Sequence, residues 1–333
     1  MKVMRWYAPR DMRLEEAPDP APKPHEALIK IESVGVCGSD MHYFLEGGIG
    51  NSTLDRPTIL GHEYAGTVVA VGENADASLV GKRVAVEPGI PCHQCELCKM
   101  GHYNVCLDLW FPGGPGCDGA LAEYFTVHAA YCYPVPEDMP ADTAAMVEPL
   151  AIAIHTVELA ELQPGAKVAV LGLGPIGLLV SKVAKLSGAY TIFGTDLHDY
   201  RVAAGADWGV DMAFNAKEGD VSERIRAEVG RYGVDVAIDC SNAGDALSDG
   251  IRVVRPAGRV VHVGISGQEI DHFPAGVARR KELTLQWVRR LKGNYPLAID
   301  MLAHGRIDIR PMLTHSFPLE KSMEAFDLSL IHI

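Results

Sequence analysis

One glycine-rich segment constrains the fold of this chain more than any other feature. It follows the apolar run AKVAVL, precedes a stretch whose apolar residues recur at helical spacing, and consists of Gly172, Leu173, Gly174, Pro175, Ile176 and Gly177. In this pattern the first glycine allows a tight turn, the second lets a pyrophosphate approach, and the third lets helix and strand pack closely. A helix that begins here points its free N–H groups at the phosphates. The segment therefore predicts a dinucleotide-binding turn between a strand and a helix.

The choice between NAD and NADP depends on the end of the next apolar run, where Asp196 stands. A carboxylate at this position accepts both ribose hydroxyls of NAD and repels the 2′-phosphate of NADP. Arg201 follows closely and would pair with that phosphate. The sequence therefore predicts NAD, and Arg201 leaves NADP open as the alternative.

Short apolar runs alternate with helix-length stretches through the middle of the chain. The runs are AKVAVL, TIFGTD, VDVAIDC and RVVHVGI. Alternation of this kind predicts a parallel sheet with helices on both faces. The first half contains β-branched segments broken by proline and glycine, and the pattern is mixed again near the end. Because the 333 residues exceed one ordinary core, we expect residues 1–150 and 291–333 to form one domain and residues 151–290 the other.

Four of the eight cysteines lie within one short segment of the first half. They are Cys92, Cys95, Cys98 and Cys106. Four thiolates form a closed tetrahedral zinc site with no position for a substrate, so we interpret this cluster as structural. Disulfides are the alternative, but pairs so close in sequence would be strained, and a reducing compartment disfavours them. Metal binding would supply folding energy to a lobe too small to fold alone.

Cys37, His62 and Glu63 form a second set of candidate metal ligands. They stand in the strings GVCGSDMHYF and GHE, and they offer one soft, one borderline and one hard donor. Three protein ligands and one open position describe a catalytic zinc site. Each residue alone has an ordinary explanation, since buried cysteines are commonly inert and the dipeptide HE is frequent. Only the combination predicts a metal site.

Together these strings resemble the zinc-containing medium-chain dehydrogenase/reductase family. GVCGSDMHYF, GHE, the cysteine cluster, VEPLAIAIH and VLGLGPIG occur in the family's order and spacing over essentially the whole chain. They are most similar to the polyol branch, which contains the sorbitol and xylitol dehydrogenases. The resemblance implies an α/β fold with a GroES-like, mainly-β catalytic domain and a doubly wound Rossmann domain that binds NAD.

The resemblance also implies roles for residues around the second metal site. Cys37, His62 and Glu63 match the ligands of the catalytic zinc, and Glu148 matches a position close to that zinc, often through water or substrate. Simple alcohol dehydrogenases have a cysteine ligand where this chain has Glu148, so glutamates at both positions favour polyol chemistry. Whether Glu63 or Glu148 is the direct ligand stays open.

Further matches concern proton transfer, substrate and cofactor. Ser39 and His42 match the family's proton relay. The residues that match the polyol pocket are Tyr43, Phe111, Glu148 and Arg290. The residues that match cofactor contacts, besides the glycines, are Ile176, Asp196, Arg201, Val263, Gly264 and Ile265. Leu291 stands where many relatives have a tyrosine, so the identity of the polyol stays open.

The implied reaction is the reversible oxidation of a sugar alcohol or a related secondary alcohol to the ketone. Zinc, held at both predicted sites, acts at the catalytic one as a Lewis acid, and the nicotinamide of NAD accepts the hydride. A threonine, glucose or idonate dehydrogenase would share every zinc and cofactor motif. A non-catalytic protein on the same fold is a further alternative, but a structural protein gains nothing from an open zinc position.

Composition and termini bear on partners and location. The net charge of −13 argues against a nucleic-acid partner, because the phosphate backbone would be repelled. No apolar run approaches the length needed to span a bilayer, and the segment MKVMRWYAPRDM lacks the apolar stretch of a signal peptide. We therefore expect a cytoplasmic protein that binds a small-molecule alcohol and no membrane. The resemblance implies a homo-oligomer, a dimer or tetramer. Relatives usually continue into a final strand that packs on the catalytic domain, so we expect this chain's end to affect stability more than chemistry.

Overall fold

Four of the strands overlap the four apolar runs of the sequence. In chain order the strands are β1 (Lys2–Ala8), β2 (Asp11–Glu16), β3 (Glu26–Gly35), β4 (Gly48–Ile49), β5 (Ser52–Thr53), β6 (Thr58–Ile59), β7 (Glu63–Val71), β8 (Arg83–Val86), β9 (Tyr124–His128), β10 (Cys132–Pro134), β11 (Lys167–Leu171), β12 (Thr191–Asp196), β13 (Met212–Asn215), β14 (Val234–Asp239), β15 (Val254–His262) and β16 (Thr284–Trp287). The helices are α1 (Gly38–Glu46), α2 (Glu96–Lys99), α3 (Ala141–Ala145), α4 (Val147–Ala160), α5 (Pro175–Leu186), α6 (Asp199–Ala204), α7 (Val221–Val229), α8 (Ala246–Val253), α9 (Ala275–Lys281), α10 (Tyr295–Ala303) and α11 (Ser322–His332). These bounds come from a computed structural model, which describes residues 1–241, 243–267 and 269–332.

The first of two units comprises Met1–Ala151 together with Lys292–Ile333. Its main sheet has the strand order β10-β8-β7-β3-β9 with antiparallel pairing, and a smaller sheet has the order β2-β1-β6. Alternation in the sequence explains the orientation of β3, where Ala27 and Ile29 are buried and Lys30 is exposed. The mainly-β character predicted for this part of the chain is confirmed.

The core of this unit fixes helix α1, which carries part of the candidate site. Met41 and Phe44 on α1 are buried among apolar residues of β1 and β6. Phe326 of α11 is also buried, and its ring meets that of Phe44 edge-on at 5.1 Å between centroids. The last helix of the chain therefore braces the helix on which Ser39 and His42 lie.

The second unit, Ile152–Leu291, contains a parallel sheet of strand order β13-β12-β11-β14-β15-β16. Counted within the unit, this is the order 3-2-1-4-5-6 of a doubly wound dinucleotide-binding sheet, so the predicted Rossmann fold is confirmed. The central strands β11, β12 and β14 are mostly buried on both faces, as parallel strands between helices must be. The order reverses between β11 and β14, and a ligand binds outside the carboxyl ends of the strands at such a point.

One helical segment corrects an expectation from the sequence. Ala141–Ala160, which contains α3 and α4, is 20 residues long, and of the described residues it is the segment long and apolar enough to cross a membrane. Its mean hydropathy reaches 1.3, but 72% of that window is buried inside the protein. The statement that no apolar run approaches this length was therefore wrong. Burial in a core explains the same composition without a membrane.

Candidate active site

Helix α1 begins directly after Cys37 and is tied to it by a carboxylate. Asp40, the third residue of the helix, accepts the backbone N–H of Cys37 at Oδ2, 3.1 Å away. A carboxylate in the first turn satisfies a free N–H group and complements the positive end of the helix. The thiol of Cys37 is thereby set at a defined helix start.

The same carboxylate reaches the segment that carries the other two ligands. Asp40 Oδ1 accepts the N–H of Gly61 at 3.3 Å and lies 3.4 Å from His62 Nδ1. A carboxylate on one ring nitrogen of a histidine fixes the ring and leaves the other nitrogen for a metal. Glu63 follows as the first residue of β7, opposite Gly35 of β3.

Cys37, His62 and Glu63 are brought together as predicted. Their ligand atoms all lie within 4.8 Å of one another, and His62 and Glu63 are buried. Within the part of the chain that the structure describes, Glu148 is not a member of this group. It lies near the start of α4 and is only 3% exposed. The geometry therefore favours Glu63 over Glu148 as the direct ligand.

The electrostatics of this group fit a divalent cation. Burial raises the pKa of the Cys37 thiol to about 11, and the Glu63 carboxylate adds to the effect. Burial likewise raises the pKa of Glu148 to about 8, with Glu63 as the next cause. Asp40 is a third buried carboxylate. Buried anionic groups are costly unless they are paired or bind a metal, and a thiolate, an imidazole and a carboxylate are a ligand set that zinc accepts.

The residues predicted for the proton relay and for the substrate pocket lie on several elements of the two units. Ser39 and His42 lie one turn apart on α1, so their side chains share a face of the helix. His42 Nδ1 is 3.9 Å from Glu46 Oε1. Phe111 lies against the metal group, with its ring centroid 5.1 Å from that of His62. Tyr43 Oη is 3.5 Å from Ser52 Oγ. Arg290 belongs to the second unit, where its φ is 58°.

The four clustered cysteines converge as expected for a closed metal site. Their sulfur atoms also lie within 4.8 Å of one another, with Cys92–Cys106, Cys95–Cys106 and Cys92–Cys98 separations of 3.5, 3.8 and 4.0 Å. Sulfurs about 2.3 Å from a tetrahedral zinc would be about 3.8 Å apart. All four are free cysteines, so the disulfide alternative is not formed here. Backbone N–H groups of Cys92 and Cys95 point at sulfur atoms of the cluster, 3.3 Å away.

The glycine-rich turn joins β11 to α5. Gly172 has a φ of 93°, in the left-handed region that favours glycine, and a Cβ there would lie 2.9 Å from that of Ser241. Gly174 caps α5, and Pro175 opens its first turn. Gly177 packs so closely on the carbonyl oxygen of Gly172 that a Cβ would overlap it. The turn thus leaves the N–H groups of the helix start available for phosphates.

Asp196 ends β12 beside this turn, and its carboxylate is held by the backbone. Oδ2 accepts the N–H of Leu173 at 2.9 Å, and Oδ1 accepts the N–H of His198 at 3.0 Å. Arg201 Nη1 lies 3.6 Å from Oδ2 and close to Gly174. The two residues that decide between NAD and NADP in the sequence are therefore paired with each other.

The remaining predicted cofactor residues lie at the end of β15 or on α5. The N–H groups of Val263 and Gly264 donate to the carbonyl oxygen of Asp239, at 2.8 and 3.1 Å. Ile265 follows and is 42% exposed, which is unusual for isoleucine and leaves it accessible to a ligand. Ile176 lies in the first turn of α5 and is half-buried.

Sequence reasoning missed the residues that hold these ligands in place. Asp40 orients His62, and its position in the string CGSD carried a signal, since an acidic third residue is typical of a helix start. The helix was not recognised because cysteine is an unusual residue to precede one. Asp239 and Ser241 were also missed, because their link to Gly264 depends on strands far apart in sequence.

Comparisons with known proteins agree with this geometry. Two family models match: the alcohol dehydrogenase GroES-like domain over residues 23–137 and the zinc-binding dehydrogenase over residues 175–304. Sorbitol dehydrogenase from Bacillus subtilis (strain 168) is 36% identical over 99% of this chain and 94% of its own. Sorbitol dehydrogenase from Homo sapiens is 38% identical over 96% of this chain and 90% of its own. An alcohol dehydrogenase from Escherichia coli CFT073, solved with NADH, has a TM-score of 0.91 at 30% identity and covers 100% of this chain and 96% of its own.

The chain therefore belongs to the zinc-binding dehydrogenases with a GroES-like alcohol dehydrogenase domain. It is an oxidoreductase that acts on alcohols. The predicted family, fold class and enzyme class are confirmed, and the sorbitol dehydrogenase relatives confirm the resemblance to the polyol branch.

Substitutions in the two cysteine-containing sites should have separable effects. Cys37→Ala should abolish turnover but leave a folded protein with about one zinc ion per chain, because only the open site is lost. Cys95→Ala should lower the midpoint of thermal unfolding and retain the other zinc ion, because the lobe loses metal-dependent folding energy. Metal analysis and thermal unfolding measure both. A fully active wild-type protein with less than one zinc ion per chain would contradict these assignments.

Asp40→Asn should weaken zinc at the open site selectively. The amide keeps the shape of the side chain but loses the charge beside His62 and one of the two oxygens that accept the N–H groups of Cys37 and Gly61. Loss of such a partner typically costs about 10- to 100-fold in metal affinity. Chelator competition measures the affinity, with the four-cysteine zinc as the internal reference. Asp118→Asn is the matched control, since Asp118 also accepts a backbone N–H, from Ile59, outside the ligand group. Equal zinc affinity in both variants would show that Asp40 does not orient the ligand.

Proposed function

We propose that this protein is a zinc-dependent, NAD-linked dehydrogenase that interconverts a sugar alcohol, or a related vicinal polyol, and its ketone. The observation that carries the proposal is the buried group of Cys37, His62 and Glu63 with Glu148 nearby. A site of this charge and donor type suits an alcohol oxygen as its open-position ligand. Sorbitol dehydrogenases with 36–38% identity over nearly the whole chain support the polyol class.

The chain's own residues would move the proton of the alcohol. Zinc at Cys37, His62 and Glu63 would supply Lewis-acid polarisation of the substrate oxygen. Ser39 would accept the proton of the alcohol as its hydroxyl gives its own proton to His42, which lies on the same face of α1 and would pass a proton outward. His42 Nδ1 lies 3.9 Å from the carboxylate of Glu46, at the outer end of this relay.

Two acidic residues favour a substrate with adjacent oxygens. Glu63 and Glu148 make a harder environment than a pair of thiolates would. Glu148 is buried beside the ligand group and would form a hydrogen bond with a neighbouring hydroxyl of the substrate. We assign substrate contacts to Tyr43, Phe111 and Glu148, and contact with a second hydroxyl to Arg290.

The cofactor, domains and assembly follow the same reasoning. We assign the glycine-rich turn and Asp196 to NAD, with Ile176, Arg201, Val263, Gly264 and Ile265 as further contacts. Residues 1–150 with 291–333 form the catalytic domain and residues 151–290 the NAD domain. We propose a cytoplasmic location, where clustered cysteines serve as metal ligands more often than as disulfides. We propose a homo-oligomer, a dimer or tetramer, with no nucleic-acid or membrane partner.

Asp196→Ala should narrow the preference for NAD over NADP. The carboxylate is expected to bind the ribose hydroxyls, and loss of hydrogen bonds to a charged group costs about tenfold or more in kcat/KM for NAD. Its removal should also free Arg201 to pair with the 2′-phosphate of NADP. Steady-state kinetics with both cofactors measure the ratio. Asp196→Asn removes the charge but keeps an acceptor oxygen for one of the two N–H groups, of Leu173 or His198, so it measures how much of the effect requires removal of the whole side chain. Wild-type kinetics that already favour NADP would refute the assignment.

A vicinal polyol should outperform a simple secondary alcohol. Without the adjacent hydroxyl, buried polar groups stay unpaired, which costs roughly 1–3 kcal/mol, or about five- to 150-fold in kcat/KM. Arg290→Ala should reduce turnover of xylitol or sorbitol and leave 2-butanol almost unchanged. Arg289→Ala, the adjacent arginine, is the matched control and should affect neither. Similar efficiencies for 2-butanol and xylitol in the wild-type enzyme would exclude the polyol class, while zinc and NAD chemistry could still hold.

A further inference from the structure

Three residues meet at the carboxyl edge of the parallel sheet, at the ends of neighbouring strands. Asp239 ends β14, His262 ends β15 and Trp287 ends β16, and the sheet register pairs each with the next. His262 Nδ1 lies 2.8 Å from Asp239 Oδ2, and both residues are buried. The Trp287 ring covers the imidazole edge-on, with 6.0 Å between ring centroids. A buried imidazole–carboxylate pair therefore stands at the edge from which the glycine-rich turn also emerges.

Asp239 connects this pair to the loops beside the glycine-rich turn. Its Oδ1 accepts both the N–H and the hydroxyl of Ser241, at 3.0 and 2.9 Å, and its carbonyl oxygen accepts the N–H groups of Val263 and Gly264. Ser241 packs against Gly172, and its carbonyl oxygen lies so close to Gly264 that a Cβ there would overlap it. The loops after β14 and β15 and the glycine-rich turn are thus in continuous contact through Ser241.

The charged groups that act most on His262 are acidic. Besides Asp239 on β14, Asp271 in the segment after β15 has Oδ2 3.9 Å from His262 Nε2, and β16 contributes the uncharged Trp287. Burial lowers the pKa of His262, but the hydrogen bond and charge of Asp239, together with Asp271, raise it by more. Because the net shift is upward, the charged pair is complete at low pH and is lost as pH rises through the raised pKa.

We propose that His262 is a positioning residue for the dinucleotide site. When His262 is protonated, its ion pair with Asp239 holds the loop after β15 against the loop after β14. Both loops support the glycine-rich turn. A buried carboxylate left without its cationic partner is strongly unfavourable, so loss of the His262 charge weakens the contact between Asp239 at the end of β14 and His262 at the end of β15, the strand after which Val263 and Gly264 follow. The proposal rests on the proposed function, since it takes this sheet edge to be the NAD site.

The test is NADH binding to the zinc-loaded enzyme, measured by nucleotide fluorescence from about pH 6.5, the ordinary pKa of histidine, to about pH 9. His262→Asn retains an N–H donor near the position of Nδ1 but cannot carry a charge. In the wild type the Kd should rise about fivefold over this range, since charged hydrogen bonds are roughly twice as strong as neutral ones. In His262→Asn the Kd should match the alkaline wild-type value at every pH. His155→Asn removes another buried histidine with a carboxylate neighbour, Glu158 on α4, and should retain the wild-type profile.

The binding measurements distinguish failure of the proposed function from failure of the positioning role of His262. If the wild-type enzyme binds no NADH, the proposed function fails. If it binds NADH and His262→Asn keeps the wild-type pH profile, the positioning role of His262 is refuted and the proposed dehydrogenase function is unaffected. Should His262→Asn fail to fold, Asp271→Asn gives the second reading, because removal of this carboxylate lowers the pKa of His262 and should move the rise in Kd to lower pH. An unmoved profile in Asp271→Asn would likewise overturn the proposal.

Discussion

The carboxylate of Asp40 connects the two segments that carry the ligands of the open metal site. Its two oxygens bind the N–H of Cys37, the N–H of Gly61 and the ring of His62, so one side chain sets a helix start, a loop and an imidazole together. It can do so because α1 is fixed from its other side by Phe44 and Phe326 in the core. A metal site formed from segments distant in sequence needs such a link, since its ligands have to be held in a defined geometry.

In the second unit, a residue at the end of a strand likewise connects segments that are distant in sequence. Asp239 uses its carbonyl oxygen and both carboxylate oxygens to hold two neighbouring segments, the loop after β14 and the end of β15 with the residues that follow it. Backbone is thereby placed around the glycine-rich turn. Close approach of backbone is what a pyrophosphate site requires. Short polar residues and glycines at the carboxyl edge of the sheet therefore hold these loops together and also let backbone approach a pyrophosphate.

Local motifs predicted most of the fold and the ligands, because their meaning depends on neighbours in sequence. The glycine spacing around Gly172, the cysteine cluster and the sequence GHE each specify a turn or a donor set by themselves. The roles of Asp40, Asp239 and His262 depend on contacts between distant segments, which periodicity does not encode. The separation of Glu148 from the other ligand atoms is of the same kind. The apolar segment Ala141–Ala160 was misjudged because glutamate and threonine interrupt it, although its average composition remains apolar.

The acidic groups around Glu148 and those around Asp239 differ in how their negative charge is balanced. This difference distinguishes a metal site from a structural ion pair. Around Glu148 the groups that act most are Glu63, His62, Asp40 and Glu87, so a single imidazole faces four carboxylates. That imbalance leaves the cluster incomplete until a divalent cation enters. At Asp239 one imidazole faces that carboxylate directly and Asp271 at a longer distance, and the backbone N–H of Ser241 supplies further stabilisation. A pair that is nearly balanced by the chain itself needs no ion, and its charge can instead change with pH.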